Sequence, residues 1–274
     1  MKLLLIQSRG KHSQNHDFRE CLNIQRAMTR QFPDVEVEIW GKGWDTQLDL
    51  DVDVILLLEN YPTGWLPYLG NSRALKLFWS VDSHCVLDEH IQLCKDHGIH
   101  VVLNSNKCDI KHFKNSYSFP NAYPADLIYP LVDRNTKDVG FCGNIISNRS
   151  KMINKLDIYP HIMVLGDDMV KVVNSYKIHW NCNLSYDINY RTFETLGCRT
   201  MLLTNETDNL SDLFEIGTDL VTYTSVGDCK EKINYLNHAD EREKIAEVGW
   251  VHAVTHHTFD NRVHLLMDII KSGI

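Results

Sequence analysis

Short apolar runs alternate along this chain with longer polar stretches in which apolar residues recur at helical spacing. "LLLI" at 3–6 reads as a first strand, and Phe18, Cys21, Leu22, Ile24 and Met28 mark one face of a helix over 17–31. "VEVEIW" at 35–40 alternates with the two-residue period of a half-buried strand. "VDVILLLE" at 52–59 is nearly continuous, as in a strand covered on both faces. "ALKLFWSVD" at 74–82 and "HVVLN" at 100–104 extend the series, with a helix over 87–97 between them. Repeated strand–helix alternation predicts a parallel sheet clad in helices.

Residues 119–138, "FPNAYPADLIYPLVDRNTKD", carry three prolines and little periodicity, so they predict a connection between domains. The pattern then restarts. "VGFCGN" at 139–144, "HIMVL" at 161–165, "YKIHW" at 176–180, "TMLL" at 200–203 and "LVTY" at 220–223 read as strands, and 228–237 and 240–254 as helices. The chain is expected to be α/β, with two Rossmann-like units in succession.

In such sheets ligands bind beyond the carboxyl ends of the strands, which directs attention to the loops after 139–142, 161–165 and 176–180. Gly143 and Asn144 form a turn that brings backbone close to a ligand, and Arg149 adds a rigid cationic fork. The plainer reading is a tight turn followed by an exposed arginine. "NYRTFETLG" at 189–197 poses a similar choice: Arg191 and Glu194 share a helical face. They are either a surface pair worth about 0.2–0.5 kcal/mol or the polar end of a binding site.

Composition narrows the setting. With 274 residues and 43% hydrophobic content, the chain can fill one large core or two smaller ones. No stretch approaches the roughly 18 uninterrupted apolar residues of a membrane span, and "MKLLLIQSRG" turns polar too soon for a secretory signal. The net charge of −8 is shared by both halves and gives no general attraction to nucleic acid. Eight scattered cysteines with no Cys-x-x-Cys pair predict free thiols and a cytoplasmic protein.

Three groups invite a metal reading and are weighed against it. Cys94, His97, Cys108 and His112 have a two-pair spacing, yet the segment around them reads as helix, glycine stop and strand. "GDD" at 166–168 suits a helix amino terminus, and "DVD" at 51–53 precedes its strand rather than following it. No essential metal is expected. Trp40, Trp44, Trp65 and Trp79 could form a sugar platform, but their surroundings place tryptophan as readily in the core.

"VGFCGNIISNR", "LSYDINYRTFETLGCRTMLLTNETDNLSDLFEIG" and "VHAVTHHTFDNRVHLLMDII" together resemble the spore-protein-like CgeB glycosyltransferases. The resemblance covers about residues 139–268, with "FWSVDSH" as a weaker match in the first half. It implies a GT-B enzyme of two Rossmann-like domains whose parallel sheets face a cleft. The implied parts are an acceptor-side domain over 1–130, a linker over 131–138, a nucleotide-sugar domain over 139–256 and a crossover helix over 257–274.

It further implies a donor site along Asn189, Tyr190, Arg191 and Glu194. Glu194 would take the ribose hydroxyls, and Arg191 the diphosphate or Glu194 itself. The retaining GT-B pattern has a second acid eight positions earlier. Tyr186 stands there, with Asp187 beside it. Gly143, Asn144 and Arg149 complete the expected set. Asp82 and His84 follow the strand ending near Trp79 and are candidates for deprotonating the acceptor, against the alternative of a helix cap and a solvent histidine. A retaining reaction would leave that step to the donor phosphate. His257 and Arg262 are expected as wall or hinge residues.

The expected activity is sugar transfer from a nucleoside-diphosphate sugar to a hydroxyl acceptor, with the donor as substrate and no tightly bound cofactor. Glycan, protein, small molecule and modified DNA all stand open as acceptors. A non-catalytic nucleotide-sugar-binding module and a nucleotide-sugar epimerase are the alternatives.

Overall fold

A computed structural model describes residues 1–59, 61–146 and 148–273. The chain forms two units, Met1–Asn121 with Phe259–Ile274, and Ala122–Thr258.

The first unit holds strands β1 (Lys2–Ile6), β2 (Glu36–Trp40), β3 (Val54–Leu58), β4 (Leu75–Ser80), β5 (Val101–Asn104) and β6 (Ser116–Ser118). They pair in parallel in the order β2-β1-β3-β4-β5-β6. Helix α1 (Glu20–Gln31) follows β1, and α2 (Ser83–His97) follows β4. The continuous run "VILLL" of β3 is buried at every position, because a strand between two parallel neighbours has helices or loops on both faces. Gly98 ends α2 in the left-handed region at φ +62°, returning its N–H to the last turn.

The second unit contains β7 (Lys137–Cys142), α3 (Asn148–Leu156), β8 (Tyr159–His161), α4 (Gly166–Ser175), β9 (Tyr176–Trp180), α5 (Tyr190–Gly197), β10 (Met201–Asn205), β11 (Val221–Tyr223), α6 (Val226–Lys232) and α7 (Ala239–His256). Its parallel sheet runs β11-β10-β9-β7-β8. Phe141, Ile178, Trp180, Met201 and Leu203 are the centre of its core. The predicted strand over 161–165 ends early. β8 stops at His161, Ile162 and Met163 are exposed, and Met163 turns to φ +57°. Among the described residues β8 is an edge strand, and the apolar run that follows it leaves the sheet. The helix expected over 228–237 is likewise shorter, because α6 tightens into a 3-10 turn from Ile233.

Helix α8 (Phe259–Gly273) then returns to the first unit and packs on α1, where Arg30 pairs with Asp260 at 2.6 Å. The buried Arg262 donates to the carbonyls of Pro120 and Asn121 (2.7 and 3.0 Å), holding the outgoing and returning chain together. Inside the second unit, His257 accepts the Tyr123 N–H with its own carbonyl. Among the described residues, no helix is long and apolar enough to cross a membrane.

Candidate functional site

Both sheets reverse their strand order once, between β1 and β3 in the first unit and between β7 and β9 in the second. At such a reversal the connections leave in opposite directions and open a crevice past the carboxyl ends of the strands. The residues that follow β7 and β9 are those singled out by sequence.

Gly143 follows β7 at φ +149°, a conformation that favours glycine, and a Cβ there would lie 2.3 Å from Nε of Arg191. The glycine therefore makes room for the arginine. Arg191, in the first turn of α5, donates from Nε to the Cys142 carbonyl at 3.0 Å and holds its guanidinium 5.7 Å from the Phe141 ring centre. Arg149 is 4% exposed and donates to the carbonyls of Cys182 (2.8 Å) and Asn144 (3.4 Å). Each arginine is thus tied to backbone at the end of one of the two strands flanking the reversal.

The two guanidiniums also feel each other. Burial, and then the charge of Arg191, lowers the Arg149 pKa to about 10. Burial lowers that of Arg191 as well, with Glu194 and Asp187 among the charges that oppose it. Both remain protonated at neutral pH. Glu194 sits one turn after Arg191 on α5, and both are half-buried. Asp187 is 6% exposed, and Tyr186 and Tyr190 are half-buried on either side of it. Asn189 caps α5, accepting the Arg191 N–H at 3.1 Å. Ser147, inside the quoted "VGFCGNIISNR", lies outside the described residues.

Several supporting residues escaped the sequence reading. His179 of β9 accepts the Cys142 N–H at Nε2 (3.1 Å), so Nδ1 carries the proton and donates to Thr195 Oγ1 at 2.6 Å. Thr195 donates onward to the Arg191 carbonyl. This chain links the end of β7 to the first turn of α5. Burial and then Arg191 push the His179 pKa down to about 3, keeping the imidazole neutral. Beside it, Asn181, Asn183, Asn189 and Thr204 form a buried amide–hydroxyl cluster with contacts of 3.1 to 3.4 Å. The signal was present in "NCNLSYDIN": asparagines two apart straight after a buried strand cannot all point at solvent.

In the first unit Asp82 occupies the N-cap position of α2, yet its side chain makes no capping bond. Desolvation first, and the charge of Glu59 second, raise its carboxyl pKa above the ordinary value, with His84 and His90 opposing. His84 is half-buried in the first turn of α2. Glu59, not singled out by sequence, accepts the N–H groups of Val81 (2.6 Å) and Asp82 (2.9 Å) and thereby fixes the loop that carries Asp82.

The remaining candidates have ordinary tasks. Asp168 pairs with Lys171 on α4, and Asp53 accepts the Lys2 N–H. Cys94 and His97 lie on α2, while Cys108 and His112 belong to the 3-10 segment Lys107–His112. Trp79 is fully buried, and Trp40 and Trp65 pack together with ring centres 5.8 Å apart.

The fold has clear relatives among solved structures. The chain is similar to the DNA-modifying enzyme β-glucosyltransferase, with a TM-score of 0.71 at 12% identity over 99% of this chain and 100% of that one. It is similar to Alr3699/HepE of Anabaena, solved with UDP-glucose, with a TM-score of 0.66 at 10% identity over 99% and 100%. Sucrose-phosphate synthase from Thermosynechococcus elongatus gives 0.70 at 8% identity over 99% and 98%. These likenesses and the sheet orders identify the fold as GT-B. No curated protein matches the chain in sequence. The family model described as glycosyl transferase-like matches residues 131–268, half of the chain, and the chain belongs to that glycosyltransferase family.

Proposed function

We propose that this glycosyltransferase takes a uridine-type nucleotide sugar as donor and passes the sugar to a hydroxyl acceptor. The observation that carries the reading is the pair of arginines, Arg149 buried and Arg191 half-buried, tied to backbone just past β9 and at the end of β7. Two adjacent guanidiniums, each already desolvated, form a site that gains strongly from a bound dianion. The UDP-containing structures of HepE support a diphosphate as that anion.

Arg149 and Arg191 would neutralise the charge that gathers on the departing diphosphate as the sugar–oxygen bond breaks. The Gly143 turn gives the phosphates access to backbone, and Asn144 lies beside it. Glu194 is assigned to the ribose hydroxyls, whose two donors a carboxylate accepts without proton transfer. Tyr186, Asp187, Asn189 and Tyr190 build the surrounding wall. Asp82 is assigned the acceptor proton, assisted by His84. Its raised carboxyl pKa fits a base working near neutral pH better than an ordinary aspartate would. If the reaction proceeds with retention, the donor phosphate takes that proton instead.

Placement in the CgeB-like branch is supported by the arginine–glutamate–glycine segment at 191–197 and by "HTFDNR" at 257–262. Eight free cysteines support a reducing, cytoplasmic setting.

The deciding experiment is a thermal-shift panel of nucleoside diphosphates and nucleotide sugars on the wild type and on Glu194→Ala. UDP and one UDP-sugar should raise the melting temperature, with a reduced shift in the variant. A folded protein indifferent to every nucleotide would turn the assignment towards a structural module.

A further inference from the structure

A cavity of about 500 Å³ lies in the first unit between α2 and the segment that follows β3. That volume is typical of small-molecule sites. Its apolar wall is made by Tyr61, Leu66, Phe78 and Leu93. Three carboxylates line it, those of Glu59, Glu89 and Asp96, and among the described residues no lysine or arginine does. Of the lining histidines, His97 is held below its usual pKa by burial.

The polar floor of the cavity is organised. His90 Nδ1 lies 2.8 Å from Ser80 Oγ, while Nε2 faces Glu59 Oε2 at 3.2 Å and Tyr61 Oη at 2.5 Å. With a carboxylate at Nε2, that nitrogen carries the proton and Nδ1 accepts from Ser80. The connectivity resembles a hydrolytic triad, but Ser80 is fully buried and cannot meet a substrate. The array instead positions Glu59. The Glu59 side chain is only 9% exposed, and the Val81 N–H, the Asp82 N–H and His90 all meet its Oε2. Among the described residues, Oε1 has no partner.

We infer that this cavity binds the acceptor, and that the acceptor is a small alcohol with an apolar body, neutral or bearing an ammonium group. The inference rests on the transferase reading above and adds the substrate class to it. A carboxylate that lines the cavity with Oε2 already committed can take an O–H or N–H group of a ligand on its other oxygen. The aromatic and aliphatic wall takes the body of the molecule. The three acids of the lining repel phosphate and carboxylate, which disfavours a nucleic acid backbone or an acidic glycan in this pocket. Glu59 serves as a binding and positioning residue, beside the Asp82 to which it is joined through backbone.

Tyramine, tyrosol and 4-hydroxyphenylacetate share one shape and carry charges of +1, 0 and −1, so their binding to the full chain reads the pocket's sign directly. Equilibrium dialysis should rank them in that order, with tyramine at least about tenfold tighter than the anion. Glu59→Gln should cut tyramine binding and compress the ranking. Asp96→Asn, on the exposed end of α2, should narrow the ranking even if the Glu59 variant fails to fold. UDP binding, measured in the same samples, keeps the donor reading separate. Equal or absent binding of all three by a protein that still takes UDP overturns the inference and leaves the donor site standing. Ranked binding by a protein indifferent to UDP supports the pocket and removes its assignment to a transferase donor.

Discussion

The two sheets reverse at equivalent places and carry opposite charge there. Past β7 and β9 the ionic groups are led by the buried Arg149 and the half-buried Arg191, each tied to a carbonyl at or just past a strand end. Past β3 and β4 they are the half-buried Glu59, fixed by two amide N–H groups, and the more exposed Asp82, its carboxyl pKa raised. The same backbone grammar thus supports an anion-holding end in one unit and a proton-accepting end in the other. Fold sets where a crevice opens, and a few side chains decide what it takes.

Removing the base is the hardest test of that contrast. Asp82→Asn should lower kcat by about 10²–10⁴ with little change in UDP affinity, measured by steady-state kinetics with the donor saturating. An unchanged kcat would assign deprotonation to the donor phosphate, and NMR of the product anomer should then show retention.

Next comes the cationic end. Arg191→Ala should cost about 10²–10³ in kcat/KM. Arg191→Lys should recover little, since an ammonium cannot hold the Cys142 carbonyl and a phosphate as a guanidinium fork does. Gly143→Ala should copy the loss, because its Cβ displaces the Arg191 side chain.

His179 sharpens the comparison through stability. Its pKa falls from 6.5 to about 3 on folding, so between those values the unfolded chain binds the extra proton. The stabilisation is complete above pH 6.5 and declines as pH falls, by about 1.4 kcal/mol per pH unit. Urea midpoints measured at pH 7 and pH 5 should differ accordingly, and His179→Gln should flatten that slope.

The smallest effect is a displacement of the pH profile. Glu59 helps to raise the Asp82 pKa, so Glu59→Gln should move the acid limb of kcat/KM to lower pH. A limb that stays in place would mean that desolvation alone sets it.

Much of this architecture could be read in the sequence, because strands buried on both faces need continuous apolar runs and helices need their own spacing. "VILLL" and "LKLFW" announced β3 and β4 directly. "HIMVL" misled, since an apolar run at a sheet edge looks the same in sequence as one at the centre. Gly143, Arg149 and Arg191 were accessible for a similar reason: a glycine after a strand and an arginine opening a helix are local patterns. His179, Thr195 and Glu59 were not. Their partners lie 37, 16 and 22 or more residues away, and their roles follow from strand order, which no local window contains.

The return of α8 has a consequence for how the protein is made. The second unit is one continuous stretch and can close as soon as Thr258 has left the ribosome. The first unit is synthesised earlier but must wait for Phe259 to pack beside Trp79 and for Arg262 to reach Pro120. A stop codon after Thr258 would therefore injure the half of the protein whose gene sequence lies farthest from it.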